Sequence, residues 1–229
     1  MQGQLYMPDG RFRSSTAVAG KADVRDENLF SAIVLAHGGQ GQQTIFTNPR
    51  GQPIPALKGS AITVAQAHQT TYTEVTTVMT KAGEFGSGIG DVSIRAIGAT
   101  LEVAPQNPTD NSISAWGATL LEAADVASKV FLQFKIAGKK QIEGPIWSFP
   151  AAGGVYGANV MTAGSLVANG PNALPRKLKL PILVARNDTV ECVVGVAGAA
   201  SLVFRTTTGA GAASLLTVML HSLVKGDVR

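Results

Sequence analysis

Three histidines, one cysteine and a scatter of carboxylates are the side chains in this sequence with chemistry to offer. His37, His68 and His221 stand far apart, and none has a second His, a Cys or an acid at a metal-binding interval, so no metal site is expected. His37 precedes Gly38-Gly39, which resembles the oxyanion loop of esterases, yet no G-x-S-x-G nucleophile elbow occurs in the sequence. Gly86-Ser87-Gly88-Ile89-Gly90 has the glycine density of a dinucleotide loop, but such a loop opens a helix, and the residues that follow, DVSIRAIG, read as a strand. Glu74, Glu84, Asp91, Glu102, Glu122, Asp125, Glu143, Asp188 and Glu191 could supply the paired acids of a glycosidase, and nothing in their spacing selects two. Asp110-Asn111 and Asn187-Asp188 are adjacent oxygen donors of the kind a calcium loop uses, and each is read as turn chemistry. A lone Cys192 excludes a disulfide within the chain and reads as a small buried hydrophobe. The sequence therefore predicts no enzyme: no catalytic, cofactor-binding or metal-ligating residue is nominated, and no cofactor is expected.

Composition narrows the class of fold. Apolar residues make up 45% of the chain, an ordinary globular share, whereas charged residues make up only 15%, against the roughly 25% usual for soluble domains. A surface so lightly charged suggests one covered by partners. The 26 glycines and 11 prolines, with abundant Thr, Val and Ala, point to many strands and turns. The net charge of +4 is modest, and the basic residues do not gather into an arm: Arg11, Arg13, Lys21 and Arg25 are matched by Asp9, Asp23, Asp26 and Glu27. The tightest groups, Lys139-Lys140 and Arg176-Lys177-Lys179, read as solvated strand ends, so direct nucleic-acid binding is not expected. The opening MQGQLYMPDGRFRSS lacks the apolar core of a signal peptide, and no run reaches the length of a membrane helix, which predicts a protein made in the cytoplasm and kept soluble.

Apolar alternation places the elements. In LKLPILVARNDTVECVVGV, residues 178–196, Leu178, Leu180, Ile182 and Val184 share one face; after Arg186-Asn187-Asp188 the period resumes with Val190, Cys192, Val194 and Val196, which predicts a hairpin about a polar turn. A second hairpin is predicted where Val130, Leu132, Phe134 and Ile136 alternate before Gly138-Lys139-Lys140, with Pro145 and Pro150 confining the return strand to an edge or a short segment. DVSIRAIGATLEV is a long strand whose apolar phase slips beside Gly98, the mark of a bulge. Further strands are read in SAIVLA (31–36), QTIFT (43–47), the Thr-rich 61–80, 200–208 and SLLTVMLHSLV, with a loop through AHGGQGQQ and a loop or weak hairpin over 151–175. Helical spacing competes at one place, 113–128, where Trp116, Leu120, Leu121 and Ala124 recur. The fold class is all-β, an antiparallel two-sheet jelly-roll sandwich occupying 61–229, preceded by an N-terminal arm or extension over 1–60.

In the hairpin at 178–196 together with KAGEFGSGIGDVSIRAIGATLEV and FLQFKIAGKKQIEGPIWSFPAAGGVYG, the chain resembles a jelly-roll capsid protein of a tailless icosahedral bacteriophage, in style and strand order over about residues 60–229. The resemblance implies a β-sandwich subunit that assembles through its edges, loops and N-terminal arm into trimers or pentamers and then a closed shell, with no catalytic residues. Its partners would be identical subunits, other virion proteins and an internal membrane surface, and its location the virion. The shell proteins of that group with two jelly rolls need more chain than this, so a single one is expected. Two other readings compete: a receptor- or carbohydrate-binding β-sandwich such as a phage spike, with Trp116, Trp147 and Tyr156 as exposed platforms, and an enzyme of the cupin kind, which needs clustered histidines. The low aromatic content, 6%, favours core or interface positions for both tryptophans.

Overall fold

The computed structural model describes residues 24–60, 71–81, 84–85, 89–103, 125–155, 175–186, 188–203 and 213–226. The protein is all-β, built from two sheets that share one core. The first runs β1 (Val24–Ala36), β11 (Ala213–Gly226), β5 (Ile89–Val103), and on the far side of β5 both β8 (Pro150–Val155) and β9 (Arg176–Val184). The second runs β2 (Gln42–Ile45), β10 (Val190–Val196), β6 (Val130–Ile136), β7 (Lys139–Pro145), all antiparallel. A small ladder joins β3 (Met79–Lys81) to β4 (Glu84–Phe85). Between the two main sheets lie Leu29 and Ile33 of β1, Ile94 and Ile97 of β5, Leu132 and Phe134 of β6, Cys192 and Val194 of β10, and Leu216 and Val218 of β11, all fully buried.

Several sequence features explain these elements. β6 buries Val130, Leu132, Phe134 and Ile136 in strict alternation, and it turns into β7 through Ala137 and Gly138, at φ of 47° and 75°. Two left-handed residues in a two-residue loop match the twist of the flanking strands. β7 ends at Pro145 and is an edge strand, as proline requires. In β5 the apolar phase does slip: Val92 and Ile94 face the core, then Ile97, Ala99 and Leu101. The bulge is at Arg95, which has no partner in the register with β11, rather than at Gly98, which faces Met219. Residues 125–129 are helical, the described part of the segment where helical spacing competes; Trp116, Leu120 and Leu121 lie outside the described residues.

Other expectations change. β9 and β10 do not form a hairpin. β9 pairs with β5 in the first sheet and β10 with β6 and β2 in the second, so the polar link 185–189 carries the chain across the core. Asp188 makes the turn as expected, its carboxylate accepting from Ala185 N–H at 3.0 Å while its own N–H donates to the Ala185 carbonyl at 2.9 Å. Period two reports which face of a strand is buried, not which neighbour it takes. Nor does Leu180 face inward: it is 78% exposed. Ile182 sits opposite Ile94 and Lys177 opposite Ala96, so Arg95 alone faces the stretch from Leu178 to Pro181, which loops outward where Pro181 has no N–H to give the ladder. The Thr-rich segment is no long strand over its described part: residues 73–76 form a turn closed by Thr73 N–H on Thr76 Oγ1 at 2.8 Å, and β3 begins only at Met79. Residues 200–203 are not a strand either; Leu202 holds the 37–41 loop through two backbone bonds of 2.9 Å, to Gly38 and Gly39.

The segment 1–60, expected as an appended arm, supplies from residue 24 onward an integral part of both sheets. β1 pairs with β11 over its whole 13-residue length and β2 pairs with β10. The apolar run SAIVLA is continuous because both faces of β1 are covered: Leu29, Ile33 and Leu35 enter the main core, while Ala32, Val34 and Ala36 pack under Ile54 and Tyr72 in a second cluster. Beyond β1, residues 53–58 and 77–78 cap the sheet edge through Val34 N–H to the Pro55 carbonyl at 2.9 Å and Val78 N–H to the Phe30 carbonyl at 3.0 Å. A buried hydroxyl network pins this layer. Tyr72 OH donates to the Ala32 carbonyl and accepts from Ser31 Oγ at 3.3 Å, and Ser31 Oγ in turn accepts from Phe46 N–H at 3.4 Å.

Two predictions follow from these contacts. Ala137→Asn, which tolerates a left-handed backbone, raises the denaturant midpoint, and Gly138→Ala lowers stability by about 1 kcal/mol in the same titration. Burial raises the Tyr72 hydroxyl to about 12. Since an unfolded tyrosine ionises near pH 10, the stabilisation is complete below about pH 10 and disappears between about pH 10 and 12. Tyr72→Phe lowers stability at neutral pH by about 1–3 kcal/mol and flattens the alkaline decline measured by unfolding at stepped pH.

Candidate functional site

The titratable residues singled out in the sequence are dispersed, and those described hold the fold. Asp125 pairs with Lys129 within the helical turn and accepts Val203 N–H at 2.8 Å, while Lys129 Nζ donates to the Ser201 carbonyl at 3.0 Å, so the pair ties 125–129 to 201–203. Asp91 accepts Arg186 N–H at 3.3 Å and Asp188 closes its turn. Glu143 pairs with Lys140 on the surface of β7, and this neighbour holds its carboxyl below the usual range. Glu74 lies 3.7 Å from Arg50, and Glu191 sits opposite Lys135 in the β10–β6 register. Glu84 is in β4 and Glu102 in β5. His37 follows β1, and His221 lies on β11 on the face turned away from the main core, where burial pushes its imidazole below the ordinary range against the pull of the Asp26 carboxylate. Among the described residues no three His, Cys, Asp or Glu side chains gather as a metal site would require. His68, Gly86, Ser87, Gly88, Asp110, Asn111, Trp116, Glu122, Tyr156 and Asn187 lie outside the described residues.

Cys192 is fully buried in β10, facing Phe134 and Ile45 in the register, and desolvation drives its thiol well above the ordinary range. A thiol so placed behaves as a hydrophobe.

The side chains left for recognition gather instead on one flank. The two main sheets end there in β7 and β9, and the chain passes between the sheets through a 3₁₀ turn, Ile146–Ser148, that enters β8. Ile146 and Phe149 on either side of the turn are buried, while Trp147 between them is 66% exposed. Of the core and interface positions expected for this tryptophan, the core one does not hold, because the turn buries its two neighbours and presents the indole outward. Ser148 Oγ donates to the Pro145 carbonyl at 2.8 Å and accepts from Arg176 Nη1 at 3.3 Å. The same guanidinium lies 5.1 Å from the centre of the Phe149 ring, a cation–π distance. Gly144 completes the arrangement: a methyl group there would stand 2.8 Å from Ser148 Oγ and 3.6 Å from Arg176 Nη1. Arg176, Lys177 and Lys179 are exposed along β9. Among the described residues no carboxylate pairs with any of the three. Sequence reasoning registers this cluster only as a strand end, since nothing in the spacing of Ser148 and Arg176, 28 positions apart, announces that they meet.

No protein-family model, curated protein or solved structure matches this chain. Among the described residues no helix is long and apolar enough to cross a membrane.

The burial of Cys192 predicts that a thiol reagent leaves the native protein unmodified and labels one equivalent after denaturant is added, measured by intact mass.

Proposed function

We propose that the protein is a structural subunit that builds a shell from copies of itself, a jelly-roll capsid protein of the virion with no catalytic role. The observation that carries this reading is a strand order combined with apolar side chains left exposed on opposite flanks. Leaving aside the β3–β4 ladder and β8, which pairs β5 in parallel, the remaining strands β1, β2, β5, β6, β7, β9, β10 and β11 number one to eight in chain order, and the sheets then read 1-8-3-6 and 2-7-4-5. This alternation between sheets supports a reading as two interleaved Greek keys, the jelly-roll pattern that capsid subunits share with lectins and cupins. A fold does not choose among these uses. The surface supports assembly: on the β1 flank Val75 is 72% exposed, and on the β9 flank Leu180 is 78% exposed, on a chain with few charges to keep it apart from its neighbours. A subunit with sticky sides facing two ways fits a ring or closed shell, in which each copy has a neighbour on either side.

The flank edges also support a mode of contact. β7 carries Lys139, Lys140, a register shift and Pro145; β9 carries Lys177, Lys179, a larger shift and Pro181. Charges, prolines and bulges on an edge discourage a further strand from pairing. Neighbouring subunits therefore meet through side chains rather than by extending a sheet.

A second reading has its own observation. Trp147, exposed and next in sequence to the serine that bonds Arg176, is the kind of platform a carbohydrate-binding sandwich presents.

Light scattering after size exclusion, followed by electron microscopy, tests the proposal. The expected result is a trimer, pentamer or closed particle much larger than the 23.6 kDa chain, reduced to folded monomer by Leu180→Asp with Val75→Asp. A monomer at every concentration and ionic strength tried overturns it.

A further inference from the structure

We infer that Arg176, Ser148 and Trp147 form a binding site for an acidic saccharide, a sugar bearing a carboxylate. This deepens the carbohydrate reading of the exposed tryptophan and does not require that the subunit build a shell. An arginine on a surface usually spends conformational entropy to hold a ligand. Arg176 has been fixed in advance by the Phe149 ring at 5.1 Å and by Ser148 Oγ at 3.3 Å, yet it remains exposed and lacks a carboxylate partner among the described residues. Only one of its five N–H groups is taken by Ser148, so the planar fork keeps donors for a bidentate carboxylate. Gly144 leaves the space this arrangement needs, since a side chain there would collide with Ser148 Oγ at 2.8 Å. Trp147, next in sequence to the Ser148 that holds the arginine, offers an exposed apolar face of the size of a sugar ring, on a turn whose neighbouring residues are anchored in the core. Lys177 adds positive charge next in sequence and exposed. The shared chemistry of an anion beside an apolar surface also describes an anionic lipid headgroup, but a rigid fork and a single flat ring suit a discrete carboxylate on a ring better than a fluid surface.

The test is retention on an array of glycans ending in uronic or sialic acid, each beside its neutral counterpart, followed by calorimetric titration with free glucuronic acid and N-acetylneuraminic acid. In parallel, phosphatidylcholine vesicles are used with and without phosphatidylserine. Wild type is expected to retain acidic glycans over neutral ones. Arg176→Met, which keeps the packing on Phe149, weakens binding about tenfold or more. Arg176→Lys weakens it too, because the fork is lost, and Trp147→Ala weakens it with unchanged thermal stability, while Lys139→Ala leaves it unchanged. Equal retention of acidic and neutral glycans, indifference to both Arg176→Met and Trp147→Ala, or binding confined to phosphatidylserine vesicles overturns the inference. Glycan retention by a stable monomer supports the site while removing the shell, and closed particles without acid preference do the reverse.

Discussion

One apolar core shared by two sheets is the constraint on which the rest of this structure depends. Each strand of β1, β5 and β11 can bury a face only against β2, β6 and β10, so the chain cannot complete one sheet before starting the other. It crosses the core repeatedly: through the Gly- and Gln-rich 37–41 between β1 and β2, through the polar 185–189 between β9 and β10, and through Ile146–Ser148 between β7 and β8, an apolar turn flanked by Gly144, Pro145 and Pro150. Asp188 and Ser148 have parallel duties at two of these crossings, each satisfying backbone groups that the change of sheet leaves without a ladder.

The two flanks of the sandwich are finished differently. On the β1 side the chain covers its own edge, and the buried hydroxyls of Ser31, Tyr72 and Thr77 lock that cover down: Thr77 Oγ1 lies 3.5 Å from Ser31 Oγ and accepts Met79 N–H at 3.2 Å. Buried hydroxyls are tolerable because each has a partner. On the β7 and β9 side the edges are guarded by lysine, proline and irregular register, and the indole of Trp147 and the side chain of Leu180 remain in solvent.

How far the sequence discloses this depends on what each signal measures. Alternation over Val130–Ile136 specifies a buried face and Gly138 a turn, so that hairpin is legible, although the two-residue loop is Ala137-Gly138 and Lys139 and Lys140, read as turn, already belong to β7. The phase slip in β5 is legible within a few residues, since a change of parity between Ile94 and Ile97 has no cause but an extra residue. Pairing partners are not legible: Ile182 and Val194 carry the same period-two signal and bury against the same core from opposite sheets. The threonines of 71–77 mislead because β-branched residues fit a strand, while here Thr73, Thr76 and Thr77 use their hydroxyls on the backbone and on one another. SAIVLA discloses a strand but not that it is covered on both sides. The Ser148–Arg176 cluster is hidden for a different reason: its parts come from a 3₁₀ turn and a distant strand, and Gly144 and Phe149, which make it possible, look like ordinary edge and core residues.

The longest ladder in the molecule joins β1 to β11, with Val24 opposite Lys225 and Ala36 opposite Ala213. Its two halves are separated by nearly the whole polypeptide, and β11 also fills the gap between β1 and β5. During synthesis β1 leaves the ribosome well before β11 and must wait for it with one edge open. Contacts of such long range close slowly. The central sheet is thus a late event in folding, since all of 37–212 is made between the two strands whose pairing unites it.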